Sequence, residues 1–144
     1  MVLIIVAFIL FVDQVTKFLV VKNLSLHQSL PLIKGVLHLT LVHNRGAAFG
    51  LFKGLSIFFI LAAALAVVLI YLNLKKLGWR KITLAVAGLS LILAGALGNL
   101  IDRLMLGYVI DFLDLRIWPV FNVADSAITI GAALLAYSII RGRN

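Results

Sequence analysis

Five carboxylates are all the acid this chain carries, and every one is an aspartate, at positions 13, 102, 111, 114 and 125 of 144 residues. An ionised group at membrane depth costs at least ~2.5–3.5 kcal/mol at a helix centre, so those present usually face an interior or a wet cavity. Asp111 closes the run Gly107-Tyr108-Val109-Ile110, and Asp125 closes Phe121-Asn122-Val123-Ala124, each a carboxylate in apolar company. Two carboxylates brought together at low dielectric do not easily both ionise, so one keeps its proton near neutral pH although isolated Asp titrates near ~3.9. One then serves as base and the other as acid, the pairing that activates water against an amide. Asp111 precedes Pro119 and Asp125 follows it, so only folding of the connection can join them.

The remaining polar residues have competing readings. Asn122 as N-cap with Asp125 at N3 resembles a capping box, and an acid in a first turn suits the helix dipole, so Asp125 has a purely structural role available. Asp13 and Lys17 are four apart on one helical face with the acid first, the favourable order for an ion pair. They are read either as a structural pair or as the mouth of a site, with Lys17 snorkelling outward. Asp102 and Arg103 follow Gly98-Asn99. There Asp102 closes a helix end near the headgroups, or Asn99 and Arg103 hold a substrate carbonyl or a catalytic carboxylate with their fixed donors. Asp114, beside Arg116, is read as a solvated or paired surface acid.

Other chemistries have less support. The chain has no cysteine, which removes disulfides, thiolate nucleophiles and Cys-bound metal. His27, His38 and His43 lack the helical two-His spacing of a zinc site, and no serine has a His or Lys at a spacing that suggests a nucleophile with its base. No metal or other cofactor is expected. The 13 basic residues give a net charge of +8, yet they are scattered singly or in short loops with no basic stripe, which argues against nucleic acid.

The elements that must position these groups are apolar. Hydrophobic residues make up 64% of the chain, charged ones 12%, and mean hydropathy is +1.20, the composition of an integral membrane protein. Apolar stretches at 1–21, 54–72, 82–101 and 123–140 each fit the ~17–25 residues of a spanning helix. The first lacks a basic leader and a small-residue cleavage pattern and carries Asp13 and Lys17, so it reads as a retained helix within a single membrane domain. Lys75, Lys76, Arg80 and Lys81 in the loop 73–81, with Arg141 and Arg143 in the tail, put that loop and both termini in the cytoplasm by the positive-inside rule. The segments 22–53 and 102–122 then lie outside. Tyr71, Trp79 and Trp118 fall near span ends, where amphipathic rings favour headgroups.

Small residues four apart, Ala62 with Ala66, Ala94 with Gly98, Ala127 with Gly131 and Ala132 with Ala136, predict close helix packing and a compact four-helix bundle. Leu37, Leu39 and Leu41 alternate with His38, Thr40 and Val42 between Gly35 and Asn44-Arg45-Gly46, which predicts a short strand. That strand either covers the bundle mouth or offers an edge to an extended peptide.

Five motifs in order, Asp13-Gln14 with Lys17, Asn44-Arg45-Gly46-Ala47-Ala48-Phe49, Gly98-Asn99-Leu100-Ile101-Asp102-Arg103, Val109-Ile110-Asp111-Phe112 and Phe121-Asn122-Val123-Ala124-Asp125-Ser126, resemble those of the lipoprotein signal peptidase family, bacterial signal peptidase II. The resemblance implies an all-α membrane protein: four transmembrane helices, a small periplasmic β-cradle containing 37–42, and an outer loop or short helix over the site. It implies an intramembrane aspartyl peptidase of the bacterial inner membrane that cuts diacylglyceryl-modified prolipoproteins before the lipidated cysteine. Asp111 and Asp125 would be the catalytic pair near the periplasmic face. Asn44, Gly46, Asn99, Arg103 and Asn122 would line the site, with Asp13, Lys17 and Asp102 in support. The expected partners are the prolipoprotein and membrane lipid, and the expected state is a monomer. A small proton- or ion-coupled transporter using Asp13 and Asp125 is the competing reading, since intramembrane acids often mark pathways.

Overall fold

The computed structural model describes residues 2–46, 56–77 and 83–142. In chain order these form α1 (Val2–Asn23), β1 (Ser29–Ile33), β2 (Leu37–Asn44), α2 (Ser56–Leu77), α3 (Leu84–Leu106), β3 (Val109–Asp114) and α4 (Val123–Arg141). All four helices are long and apolar enough to cross a membrane, reaching ~30 Å at about 1.5 Å per residue. Local signals set the ends of α3. Thr83 accepts a hydrogen bond from Val86 N–H at 3.2 Å as N-cap, and Gly107 adopts φ +78° while its N–H donates to the Arg103 carbonyl. A left-handed residue there suits glycine, which lacks the Cβ that such a backbone disfavours.

The helices do not share the interior equally. More than half of α3 is buried, whereas α1, α2 and α4 turn most of their surface outward. Phe8, Phe11 and Phe18 on α1 and Leu61 and Leu65 on α2 are exposed, as expected of side chains meeting lipid tails. Helix association in lipid gains little from hydrophobicity and depends on close packing. Between α3 and α4 that closeness rests on glycine. A Cβ on Gly88 would meet the Gly131 carbonyl oxygen at 2.7 Å, one on Gly131 would meet the Gly88 carbonyl oxygen at 2.6 Å, and one on Gly95 would overlap the Ala124 carbonyl oxygen. Of the small-residue pairs read from the sequence, Ala94 with Gly98 and Ala127 with Gly131 are buried. Ala62, Ala132 and Ala136 are exposed, so those two pairs build no helix interface here; the spacing alone does not say which helix face is covered.

A three-stranded antiparallel sheet in the order β1-β2-β3 stands over one end of the helices. Alternation alone marked only the strand over 37–42, and the small β-cradle implied by the family resemblance is this sheet. β3 escapes the alternation rule because Val109, Ile110, Asp111 and Phe112 are all buried, and a strand covered on both faces has no polar side to alternate with. β1 escapes it because all five of its residues are exposed. Leu41, Ile110 and Phe112 pack against Val20, with Leu24 nearby, and so seat the sheet on the end of α1. The outer side of β3 is already occupied: the Phe121 carbonyl accepts from Phe112 and Leu113 N–H, and Phe121 N–H donates to Leu113. β2, which holds the strand read over 37–42, lies between β1 and β3 and is therefore not an edge strand open to an extended peptide. Residues 115–120 form no helix, and residues 47–55, the other candidates for a loop or helix over the site, lie outside the described residues, as does Trp79. Tyr71 and Trp118 are exposed.

Candidate active site at the sheet end of the bundle

Four elements bring the polar residues together. β3 presents Asp111, the first turn of α4 presents Asp125, α3 contributes Asn99, Asp102 and Arg103, and β2 ends in Asn44. Asn122 is fully buried at the centre. Its Nδ2 donates to Asp111 Oδ1 at 2.7 Å and approaches Asn99 Oδ1 at 3.1 Å and the Ile110 carbonyl at 3.2 Å. Its Oδ1 accepts from Asp125 N–H at 2.8 Å, and Asp125 Oδ2 accepts from Asn122 N–H at 3.3 Å. The capping box is therefore formed, and the same residue that caps α4 also holds Asp111. The structural reading of Asp125 and its place in the cluster hold together.

Each asparagine has its amide orientation anchored. Asn44 Nδ2 donates to Asp111 Oδ2 at 2.9 Å while its Oδ1 accepts from Gly46 N–H at 3.0 Å. Asn99 Nδ2 donates to Asp125 Oδ1 at 2.8 Å while its Oδ1 accepts from Lys17 Nζ at 3.2 Å. In all three the carbonyl oxygen is held by another donor, so the NH₂ group faces a carboxylate. Flipping any of them would set oxygen against oxygen. Gly46 is buried, Asn44 and Arg103 are partly exposed, and Arg103 lies within electrostatic reach of Asp125, Asp111 and Asp102.

Burial pushes the Asp111 carboxyl up from its ordinary value to about 7, the nearby Asp125 charge adds to this, and hydrogen bonds from Asn44 and Asn122 oppose it. Desolvation and a like charge both disfavour the ionised form. At neutral pH Asp111 is thus a carboxyl able to hold or release a proton.

Beneath this layer lies a buried charge cluster. Lys17 Nζ is 2.8 Å from both Asp13 Oδ2 and Asp102 Oδ2, and all three side chains are at most 3% exposed. Lys17 therefore turns inward and does not snorkel. Asp102 does not contact headgroups either: it accepts from Lys17, from Gln14 Nε2 at 3.1 Å and from Ile110 N–H at 3.1 Å, tying α1 and β3 to α3. Asp13 Oδ1 accepts Ala124 N–H at 2.9 Å at the start of α4. Gly98 makes room for this, since a Cβ there would sit 2.6 Å from Asp13 Oδ2. An ion cluster of this kind is costly to bury and still costlier to leave half-made.

Asp114 is neither solvated nor part of this group. It is buried, accepts from Thr40 Oγ1 at 2.7 Å and from Arg116 N–H at 2.8 Å, and pairs with the Arg116 guanidinium at 3.1 Å. Burial raises its carboxyl, but these bonds outweigh that and hold it below the usual carboxylate range.

Sequence reasoning missed several contacts. Gln14 bridges Asp13 and Asp102, and its place in the Asp13-Gln14 motif was the signal for it. His43 stacks on Tyr108 with ring centroids 3.9 Å apart, clamping the end of β2 next to Asn44. Burial, then the charges of Arg45 and His27, hold the His43 imidazole below its ordinary pKa, so it stacks as a neutral ring at neutral pH. Ser29 Oγ lies 3.2 Å from His38 Nδ1, a pairing created by the hairpin register, which seats Ser29 beside Thr40 and Pro31 beside His38. Asp114, the nearest acid, is engaged by Thr40 and Arg116, so no Ser-His-Asp relay is assembled.

Four apolar helices, a small sheet at one end, and buried Asp111 with partly buried Asp125 gathered there around Asn122 describe a mainly helical membrane protein. The model of the signal peptidase II family matches residues 5–141. A lipoprotein signal peptidase of Halothermothrix orenii is 50% identical over 137 residues, covering 94% of this chain and 92% of the relative. One of Caldanaerobacter subterraneus subsp. tengcongensis is 49% identical over 142 residues, covering 97% and 96%. A solved structure described as a bacterial membrane enzyme, determined in meso at 2.3 Å resolution, superposes with a TM-score of 0.90 at 32% identity, covering 99% of this chain and 89% of that one. The chain belongs to the signal peptidase II family, a family of peptidases.

Proposed function

We propose that this protein is an intramembrane aspartyl endopeptidase that removes the signal peptide from diacylglyceryl-modified prolipoproteins by cutting before the lipidated cysteine. The observation that carries the mechanism is Asn122, which holds Asp111 by its side chain and Asp125 through a reciprocal cap. With Asp111 pushed up to about 7 by burial and by Asp125, one member of the pair keeps a proton while the other is ionised.

The ionised carboxylate takes a proton from water, and the resulting hydroxide attacks the scissile carbonyl carbon. The protonated carboxyl donates to the oxygen on which charge develops, and as the C–N bond breaks the departing amine takes the proton that the other carboxyl removed from water, which restores the pair to its starting protonation. Arg103, within electrostatic reach of the pair, carries the positive charge on this side of the site. The acyl chains lie along outward-facing apolar helix surfaces, where each buried CH₂ contributes ~0.8 kcal/mol and makes the lipid a strong address. The cytoplasmic-terminus reading places this site at the outer face of the bacterial inner membrane. One chain supplies every residue invoked, which supports action as a monomer. The transport alternative calls for interrupted helices around a midplane site, whereas α1, α3 and α4 are each continuous and the acids gather toward the sheet.

Purified protein is mixed with a diacylglyceryl-modified prolipoprotein and with the same polypeptide lacking lipid, and cleavage is read by gel shift. Cleavage of the lipidated form alone, lost in Asp111→Asn and Asp125→Asn, is expected. Equal cleavage of the non-lipidated form would refute the lipid address, and full activity in Asp111→Asn would refute the dyad.

A further inference from the structure

Lys17 lies one layer below the proposed dyad, yet its ammonium has three partners rather than the two its ion pairs require. Besides Asp13 and Asp102, each at 2.8 Å, it reaches Asn99 Oδ1 at 3.2 Å, on a residue 82 positions away. An ammonium only donates, so it admits one orientation of the Asn99 amide: oxygen toward Lys17, NH₂ toward Asp125. Asn122 Nδ2 cannot take over this role alone. It has two hydrogens and three acceptors within 3.2 Å, with Asp111 Oδ1 the closest. Without the ammonium, Asn99 Oδ1 would keep only the Asn122 Nδ2 donor that it shares with two other acceptors, which weakens the opposition to a flip that would turn the Asn99 carbonyl toward Asp125 Oδ1.

Resting on the dyad reading above, we propose that Lys17 is a positioning residue for the hydrolytic site, acting through Asn99 to keep a hydrogen-bond donor aimed at Asp125. The charged and titratable groups around it are Asp13 on α1, Asp102 on α3, Asp111 on β3 and Asp125 on α4. The two aspartates it touches directly anchor other backbone, Ala124 N–H and Ile110 N–H. A purely structural Lys17 would act through those two anchors, and Asn99 would be incidental.

A double-mutant cycle separates the two roles, because residues acting through one another lose less together than the product of their separate losses. Lys17→Met, Asn99→Ala and the double variant are assayed for kcat and KM on the lipidated prolipoprotein. Each single variant is expected to lower kcat by about 10- to 100-fold with KM little changed, and the double variant to be no worse than Asn99→Ala. Losses that multiply, or a Lys17→Met defect confined to KM, would overturn the proposal. If Lys17→Met alone fails to fold because two carboxylates lose their cation, it is replaced by the triple variant Lys17→Met/Asp13→Asn/Asp102→Asn, in which the whole buried cluster is neutral. Asn99→Ala is expected to cost much less in that triple variant than in the wild type, and an equal cost in both again overturns the proposal. Inactive wild type, or an active Asp111→Asn, would instead defeat the underlying dyad reading.

Discussion

Asp111 and Asp114 stand three residues apart on β3, yet their carboxyls are held in opposite senses. Asp111 is raised to about 7 by burial and by Asp125, and Asp114 is kept below the usual range by Thr40 and Arg116. Proximity in sequence says little about function here; the partner set decides it. Asp111 faces a second carboxylate and amide donors, whereas Asp114 faces a hydroxyl and a guanidinium.

With Asp111 as the acid member of the pair, turnover needs its proton. The kcat/KM profile against pH is expected to fall with a limb near pH 7 as that proton is lost. A profile flat from pH 6 to 9 would contradict the assignment.

Stability should carry the same signature. A carboxyl whose folded pKa is raised holds its proton in the native state while the unfolded chain has lost it, so its contribution to stability falls as pH rises from about 4 to about 7. Asn at this position does not titrate. The stability of Asp111→Asn relative to wild type is therefore expected to climb across that interval and level off above it. Thermal melts of both proteins in one detergent at several pH values would read this difference, and a constant offset would count against the raised pKa.

Asp114 has the opposite sign. Its depressed pKa contributes stability that is present above the unfolded value and lost as pH falls through the folded one. Asp114→Asn is expected to lower the melting temperature at pH 7 and to leave kcat at the wild-type level. A loss of turnover as deep as that of Asp111→Asn would show that the strand end belongs to the site.

Asn122 combines two roles that substitution can separate. Serine is also a good N-cap, so Asn122→Ser should keep α4 capped while removing the donor to Asp111, at a cost of about 1–3 kcal/mol for buried acceptors left unpaired. The expected result is a folded protein with a lowered melting temperature and a kcat reduced by about 10-fold or more. A normal kcat would mean that Asn122 matters only as a cap.

Gly95→Ala tests the helix contact behind the proposed dyad. The new methyl would overlap the Ala124 carbonyl oxygen and come within 2.7 Å of Ile128 Cγ1, so backbone must move. Overpacking of this kind costs about 1–3 kcal/mol. Because Ala124 precedes Asp125, both the melting temperature and kcat are expected to drop.

Much of this was legible in the chain itself. Length and polarity of the apolar runs define four helices, since a bilayer rewards nothing shorter. The 122–125 spacing contains the capping box, and the 13–17 spacing contains the ion pair, because contacts between residues three or four apart are dictated by helix geometry alone. The order of five short motifs was sufficient for the family. What that order could not convey is direction: whether Lys17 points out to headgroups or in toward Asn99 depends on α1 packing against α3, which Gly98 permits by lacking a Cβ beside Asp13.

β3 was equally hidden, because burial on both faces erases the alternation that marks a strand. The sequence by itself determined four apolar helices able to span a membrane, the cap that starts α4 and the inventory of groups able to do chemistry, all of which follow from local periodicity and composition. Only tertiary structure decided that Asp111 and Asp125 meet around Asn122 while Asp114 does not. The physical reason is that a carboxyl's protonation and reach depend on desolvation and on partners brought from distant segments, and neither exists until the chain has folded.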